Sequence, residues 1–195
     1  MKFYLCRHGE TTSDVEDRYG GEYDDSLTEK GRAQAKELAE KLAPAKVKLI
    51  YTSPKKRAQE TAQILSEVLG ARIEIIENLR ERNNYGVLTG LTKKEAKETL
   101  PFFVKELEEN SPNHKVKGSE PFLKFKERVL SSFNFIMSQT EEDCIIVTHA
   151  GPARRIIRDT IGKEIEKIGD CAYLEIENKN GKYELKNISG LVEFK

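Results

Sequence analysis

The sequence predicts an α/β protein: a three-layer sandwich with helices on both faces of a mostly parallel central sheet and a C-terminal antiparallel hairpin. Three observations predict it. Short apolar runs at residues 3–6, 47–51, 73–76 and 144–147 suit buried strands. Longer stretches with apolar residues at helical spacing lie between them. The pair Asn180-Gly181 separates two segments, 171–177 and 182–188, and both residues tolerate the positive φ of a two-residue hairpin turn.

In chain order, the first strand is followed by a helical stretch over 28–42, with Ala35, Leu38, Ala39 and Leu42 on one stripe. After the second strand, Ser53-Pro54 offers an N-cap and a first-turn proline for a helix that ends at Gly70, its stripe carrying Ala58, Ala62, Leu65 and Leu69. The third strand, 73–76, leads towards a segment, 100–121, that contains three prolines and a polar run. It is expected to form, at least in part, a surface excursion serving as a lid. Phe122, Phe125, Val129, Phe133 and Ile136 then repeat at helical spacing. The fourth strand precedes a helix opening at Pro152, with Ile156, Ile157 and Ile161 inside and Gly162 as its stop. With no internal repeat and no linker, residues 1–195 are expected to form one domain.

Composition removes several function classes. Lys plus Arg and Asp plus Glu each number 33, so no net basic field points to nucleic acid or an anionic membrane, and anion binding has to be local. The apolar part of residues 1–7 is too short for a signal peptide and no run approaches a membrane span, so a cytoplasmic location is expected. Cys6, Cys144 and Cys171 are odd in number, widely spaced and set in apolar runs, which suits reduced core thiols. None has an arginine six residues later, as a cysteine-phosphatase loop requires. With no Cys-x-x-Cys pair and three scattered histidines, neither a metal nor a cofactor is expected.

The candidate site lies just after the strands. Arg7-His8 follows the first, His149 the fourth, and Arg57 opens the helix after the second. In an open α/β sheet the carboxyl ends of parallel strands form the ligand-binding edge, and helix N-termini there favour an anion. Two arginines and two histidines are costly to bury, and the oxygens of one phosphate are a natural common partner for guanidinium forks and imidazole N–H groups. Chemistry at such a group needs a nucleophile and a proton donor. Glu81, after the third strand, is the candidate donor and Glu77 its rival.

These residues give the chain a resemblance to the histidine phosphatase superfamily, which includes phosphoglycerate mutases. Arg7-His8-Gly9-Glu10-Thr11 matches its fingerprint and is followed by Leu27-Thr28-x-x-Gly31-x-x-Gln34-Ala35. The second arginine lies in Thr52-Ser53-Pro54-Lys55-Lys56-Arg57-Ala58-Gln59-Glu60-Thr61-Ala62, the acid in Leu79-Arg80-Glu81 and the second histidine in Val147-Thr148-His149-Ala150-Gly151. The resemblance implies that His8 attacks phosphorus and is transiently phosphorylated, that Arg7, Arg57 and His149 hold the phosphoryl oxygens, and that Glu81 is the general acid and base. Asp14, Gly21, Lys93 and Ala150 are further candidates for contacting substrate. Three departures stand out. Asp14 occupies a position where asparagine is usual, one extra residue separates Glu81 from Gly86, and residues 85–93 look like the mutase version of that stretch.

Other polar residues have plainer readings. His114 lies in a polar stretch and is expected to be a solvated loop residue; Arg154, Arg155 and Arg158 suit an exposed helix face, Lys55 and Lys56 a surface turn, and Cys6 the core side of its strand. The leading expectation is a metal-independent phosphomonoesterase acting on a phosphorylated small molecule, with no nucleic-acid or membrane partner and with monomer and homodimer both open. Phosphoglycerate mutase-type transfer and a phosphate-binding module of weak turnover are the alternatives.

Overall fold

In the computed structural model, which describes residues 1–109 and 116–195, six strands form one mixed sheet in the order β3-β2-β4-β1-β6-β7. Strands β1 (Lys2–Arg7), β2 (Leu49–Thr52), β3 (Arg72–Ile75) and β4 (Cys144–Thr148) run parallel. Strands β6 (Tyr173–Lys179) and β7 (Lys182–Ser189) continue the sheet antiparallel. Asn180 and Gly181 join them at φ 54° and 83°, as the hairpin turn requires. A separate two-stranded sheet, β5 (Ile165–Ile168) with β8 (Val192–Phe194), was not anticipated.

Strand alternation divides the core into two layers. Phe3 and Leu5 pack with Val129 and Phe133 of helix α6 (Phe122–Gln139) and with Ile156 and Ile157 of α7 (Ala150–Ile161). Tyr4 and Cys6 turn to the opposite face, against α2 (Glu29–Leu42) and α3 (Lys56–Leu69). The predicted helical stripes are the buried ones: Ala35, Leu38, Ala39 and Leu42 in α2, and Ala58, Ala62, Leu65 and Leu69 in α3. A short helix, α1 (Thr12–Val15), precedes α2, which is capped by the Thr28 hydroxyl accepting from Gly31 N.

Three expectations need correction. The run 73–76 is not buried: β3 is an edge strand with Ile75 55% exposed, flanked by the charged Arg72 and Glu74 that blunt such edges. Helix α3 starts at Lys56 rather than at Ser53-Pro54, because the Ser53 hydroxyl is engaged with His149 and with Lys55 N before the helix begins. Helix α7 starts at Ala150, two residues before Pro152, which is tolerated because first-turn N–H groups have no intrahelical acceptor. The segment 100–121 begins with helix α5 (Pro101–Glu109), following α4 (Lys93–Thr99). Pro101 occupies the first helical position rather than breaking the chain, and Val104 packs with Tyr19, Leu88, Ala96 and Val116 in a third apolar cluster. His114 and the middle of that segment lie outside the described residues.

Gly9 and Gly31 let the loop after β1 cross the first turn of α2. A Cβ on Gly9 would lie 2.5 Å from Gly31 O, and one on Gly31 would lie 2.1 Å from Glu10 O. That crossing holds the backbone around His8.

Candidate active site

The parallel register brings the strand ends to one edge. Arg7 pairs with Thr148 and Thr52 with Val147; the ladder continues past the strands through His8 N to Thr148 O (3.0 Å) and Ser53 N to Val147 O (3.0 Å). His8, Ser53 and His149 therefore arrive together, and the first turn of α3 adds Arg57. His8 is 5% exposed, Arg57 4% and His149 0%.

Arg57 organises the group. Its Nε donates to His8 Nε2 (3.1 Å) and His149 Nδ1 (3.2 Å), its Nη1 to Tyr23 O (2.7 Å) and Asp25 Oδ1 (2.6 Å), and its Nη2 to Gly21 O (2.8 Å). Guanidinium nitrogens only donate, so these contacts assign the imidazole protons. His8 Nδ1 lies 2.8 Å from Gly9 O, a pure acceptor, so it carries the proton and leaves a lone pair on Nε2. His149 accepts at Nδ1, so its Nε2–H donates to Ser53 Oγ at 2.7 Å. Burial, aided by the charges of Arg57 and Arg7, pushes the His8 imidazole well below the usual histidine range. Burial and Arg57 do the same to His149. For Asp25, burial works to raise its carboxyl, but the Arg57 guanidinium, 2.6 Å away, outweighs it and holds it below its ordinary value.

The histidine shifts set a stability trend. Unfolded, the two imidazoles titrate near about 6.5; folded, they stay neutral to lower pH. Below about pH 6.5 the unfolded chain therefore takes up protons first, and stability falls with pH, by up to about 1 kcal/mol per pH unit for each histidine. Urea denaturation of the ligand-free protein at about pH 7 and pH 5.5, above the carboxylate range, is expected to show the lower midpoint at the lower pH. Equal midpoints would contradict buried neutral imidazoles.

A cavity of about 190 Å³ opens above the group. Seven of the nine sequence candidates line it: Arg7, His8, Asp14, Gly21, Arg57, Glu81 and Ala150. His149 lies behind Arg57, its ring edge-on to His8 at 5.0 Å between centroids. Lys93 is elsewhere, paired with Asp17 in the wall of a wider cleft of about 1630 Å³ that meets the first cavity at Glu81 and Tyr85. Arg154, Arg155 and Arg158 line that wider cleft too.

Arg7 is held by Ile168 O (2.8 Å) and by Asp170 (3.1 Å), while its buried Nε makes no hydrogen bond. Asp14 does not pair with Arg18, which instead meets Glu16, Glu95 and Gly90 O. The Asp14 carboxylate accepts from Thr11 N (2.9 Å) and Thr11 Oγ1 (2.7 Å) in the capping box of α1, so its charge has a local use that the sequence comparison with asparagine did not suggest. Gly21, at φ 55°, places its carbonyl under Arg57.

Of the two acids, Glu81 borders the cavity, whereas Glu77 is exposed in a 3-10 turn away from it. Glu81 Oε2 accepts from Gly151 N (3.0 Å) and Oε1 from Arg82 N (2.8 Å). A Cβ at Gly151 would stand 2.1 Å from Glu81 Oε1, so any larger residue there makes the carboxylate leave this seat. Gly151→Ala is expected to lower kcat/KM about tenfold by displacing the acid, with circular dichroism unchanged. Wild-type turnover would show that the carboxylate's seat is immaterial.

Sequence reasoning missed Asp25, Ser53 and Tyr85. Asp25 sits beside Asp24 in what looks like a solvated acidic pair, Ser53 has the form of a helix cap, and Tyr85 lies in a stretch assigned to substrate only through Lys93.

Comparison with known proteins adds four findings. A profile described as the histidine phosphatase superfamily (branch 1) matches residues 3–189. Phosphoglycerate mutase-like protein 4 of Arabidopsis thaliana is 32% identical over 171 residues, covering 84% of this chain and 74% of that protein. Phosphoserine phosphatase 1 of Hydrogenobacter thermophilus is 27% identical over 169 residues, covering 86% and 79%. Among solved structures, the alpha-ribazole phosphatase of Shigella flexneri superposes with a TM-score of 0.83 at 22% identity, covering 95% of each chain, a likeness of fold. Among the described residues, no helix is long and apolar enough to cross a membrane.

Proposed function

Because the chain belongs to the histidine phosphatase superfamily, branch 1, we propose that it is a phosphatase that hydrolyses phosphomonoesters through a phosphohistidine formed on His8 Nε2. The observation that carries this is the 2.8 Å approach of His8 Nδ1 to Gly9 O, which assigns the ring proton to Nδ1 and leaves the Nε2 lone pair beside Arg57 and His149.

The phosphoryl group binds above His8 with its oxygens towards Arg7 Nε, the one buried nitrogen of that side chain without a partner, and towards Arg57. His149 turns a proton to Nδ1 for the same purpose, since Ser53 Oγ can accept from or donate to Nε2. The Nε2 lone pair attacks phosphorus, the P–O ester bond breaks, and Glu81, protonated, gives its proton to the leaving alkoxide. The Glu81 carboxylate then takes a proton from water as that oxygen attacks the phosphohistidine, releasing phosphate and neutral His8. Two guanidiniums and the His149 N–H supply the charge stabilisation, so turnover needs no metal.

The accompanying cleft favours water as acceptor. A mutase has to retain its intermediate and exclude solvent, whereas here the cavity opens at Glu81 and Tyr85 into about 1630 Å³, and Lys93 lies in that cleft, paired with Asp17. The cleft also admits leaving groups larger than a three-carbon acid. Screening phosphomonoesters in EDTA is expected to release inorganic phosphate without a bisphosphorylated primer. Primer-dependent interconversion of phosphoglycerates without phosphate release would replace this reading with the mutase one.

A further inference from the structure

We propose that Arg128, latched by Glu120, is a positioning residue for Glu81: it fixes the acid-bearing loop so that the proton meets the leaving oxygen. The inference rests on the assignment of Glu81 as general acid.

Residues 80–84 have no strand or helix of their own, so their carbonyls have no ladder partners. Arg128, from α6, which packs in the same core layer as Leu79, supplies partners for three carbonyls at 78–81. Its Nη1 donates to Asn78 O (2.7 Å) and Arg80 O (2.8 Å), and its Nη2 to Glu81 O (3.0 Å). The fork is oriented by Glu120, which accepts from Nε at 2.7 Å and from Nη2 at 2.8 Å. Phe125 adds a ring 5.1 Å from the guanidinium carbon, and the arginine side chain is 9% exposed.

Glu120 is tied to the same loop twice more. Its N donates to Asn83 O (2.7 Å), and its carbonyl accepts from Arg82 Nε (3.1 Å) and Nη2 (2.9 Å). The loop that carries the acid is thus hung between α6 and the chain at residue 120, while the Glu81 carboxylate is seated on Gly151 N of α7. A flat guanidinium can serve three carbonyls and a carboxylate at once; a lysine ammonium with three donors on a flexible stem cannot. This arrangement lies outside the phosphate cavity, so loosening it moves the proton donor and spares the phosphate contacts.

The test separates that role from general support of the fold. Glycerol 2-phosphate leaves as an alkoxide that needs a proton, whereas 4-nitrophenyl phosphate leaves as a stable phenolate. In Arg128→Lys and Glu120→Gln, the ratio of kcat/KM for glycerol 2-phosphate to that for 4-nitrophenyl phosphate is expected to fall about tenfold, in the same direction as a larger fall in Glu81→Gln. Equal losses on both substrates, or no loss on either, in the two clamp variants would overturn the inference. Should Arg128→Lys fail to fold, Glu120→Gln carries the test alone. A ratio unchanged in Glu81→Gln itself would remove the acid assignment first and the clamp with it, and that outcome is distinguishable from failure of the clamp alone.

Discussion

Replacing His8 by alanine is expected to lower kcat/KM for any phosphomonoester substrate by about 10³-fold or more, with the fold retained. The effect is large because the imidazole is the attacking atom, and its neighbours can bind phosphate but offer no second nucleophile in line. Arg57 Nε holds one side of Nε2, His149 points its Nδ1 at the same guanidinium, and Ser53 Oγ is turned to the far side of His149. The side chain makes no ion pair, so its loss strands no charge. Thermal unfolding above about pH 7 is expected to be little changed, and phosphate binding to persist. Retention of full activity in this variant would contradict the nucleophile assignment.

The second large effect belongs to Arg57. Arg57→Met removes five contacts at once and leaves Asp25, its side chain 2% exposed, as a buried carboxylate without its cation. A loss of about 3–5 kcal/mol in unfolding free energy is expected. Adding Asp25→Asn is expected to restore most of that stability, because the stranded charge is gone, while activity stays low by roughly 10²–10³-fold, the size associated with losing a preorganised donor at a charged transition state. Arg57→Lys keeps the charge but not the fork, so it is expected to recover stability better than turnover. Urea titrations and kinetics on the single and double variants measure both sides. If the double variant regained activity along with stability, Arg57 would be a structural residue rather than part of the phosphate site.

Much of this architecture is legible in the sequence because a buried parallel sheet has to be written as apolar runs, and its helices as stripes of apolar residues. The runs at β1, β2 and β4 and the stripes of α2 and α3 follow that rule closely, as does that of α6 from Phe125 onward, Phe122 being 47% exposed. Arg7, His8 and His149 at the strand ends, and Arg57 in the first turn of α3, are visible for the complementary reason: polar groups placed beside the end of a core element need a partner.

What the sequence conceals depends on distance or on reuse. Asp25 meets Arg57 across 32 residues, and nothing local distinguishes it from Asp24. Arg128 looks like an exposed charge on an amphipathic helix until the loop at 78–81 is seen lying beneath its fork. Ser53 and Pro54 have the form of a helix start, but the hydroxyl is spent on a histidine 96 residues away. Strand β3 misleads because isoleucines at an edge and in a core spell the same pattern. Asp14 shows the converse: a residue that stands out because asparagine is usual there proves to cap a one-turn helix through Thr11.

The most direct test of the account is to capture the covalent intermediate. Rapid quenching during turnover of a phosphomonoester in EDTA, followed by mass spectrometry of peptides kept at alkaline pH, is expected to show one phosphoryl group on His8, stable to alkali, lost in acid and absent from His8→Ala. Steady turnover with no phosphoryl group on His8 at any quench time, or with an acid-stable one on another residue, would contradict it.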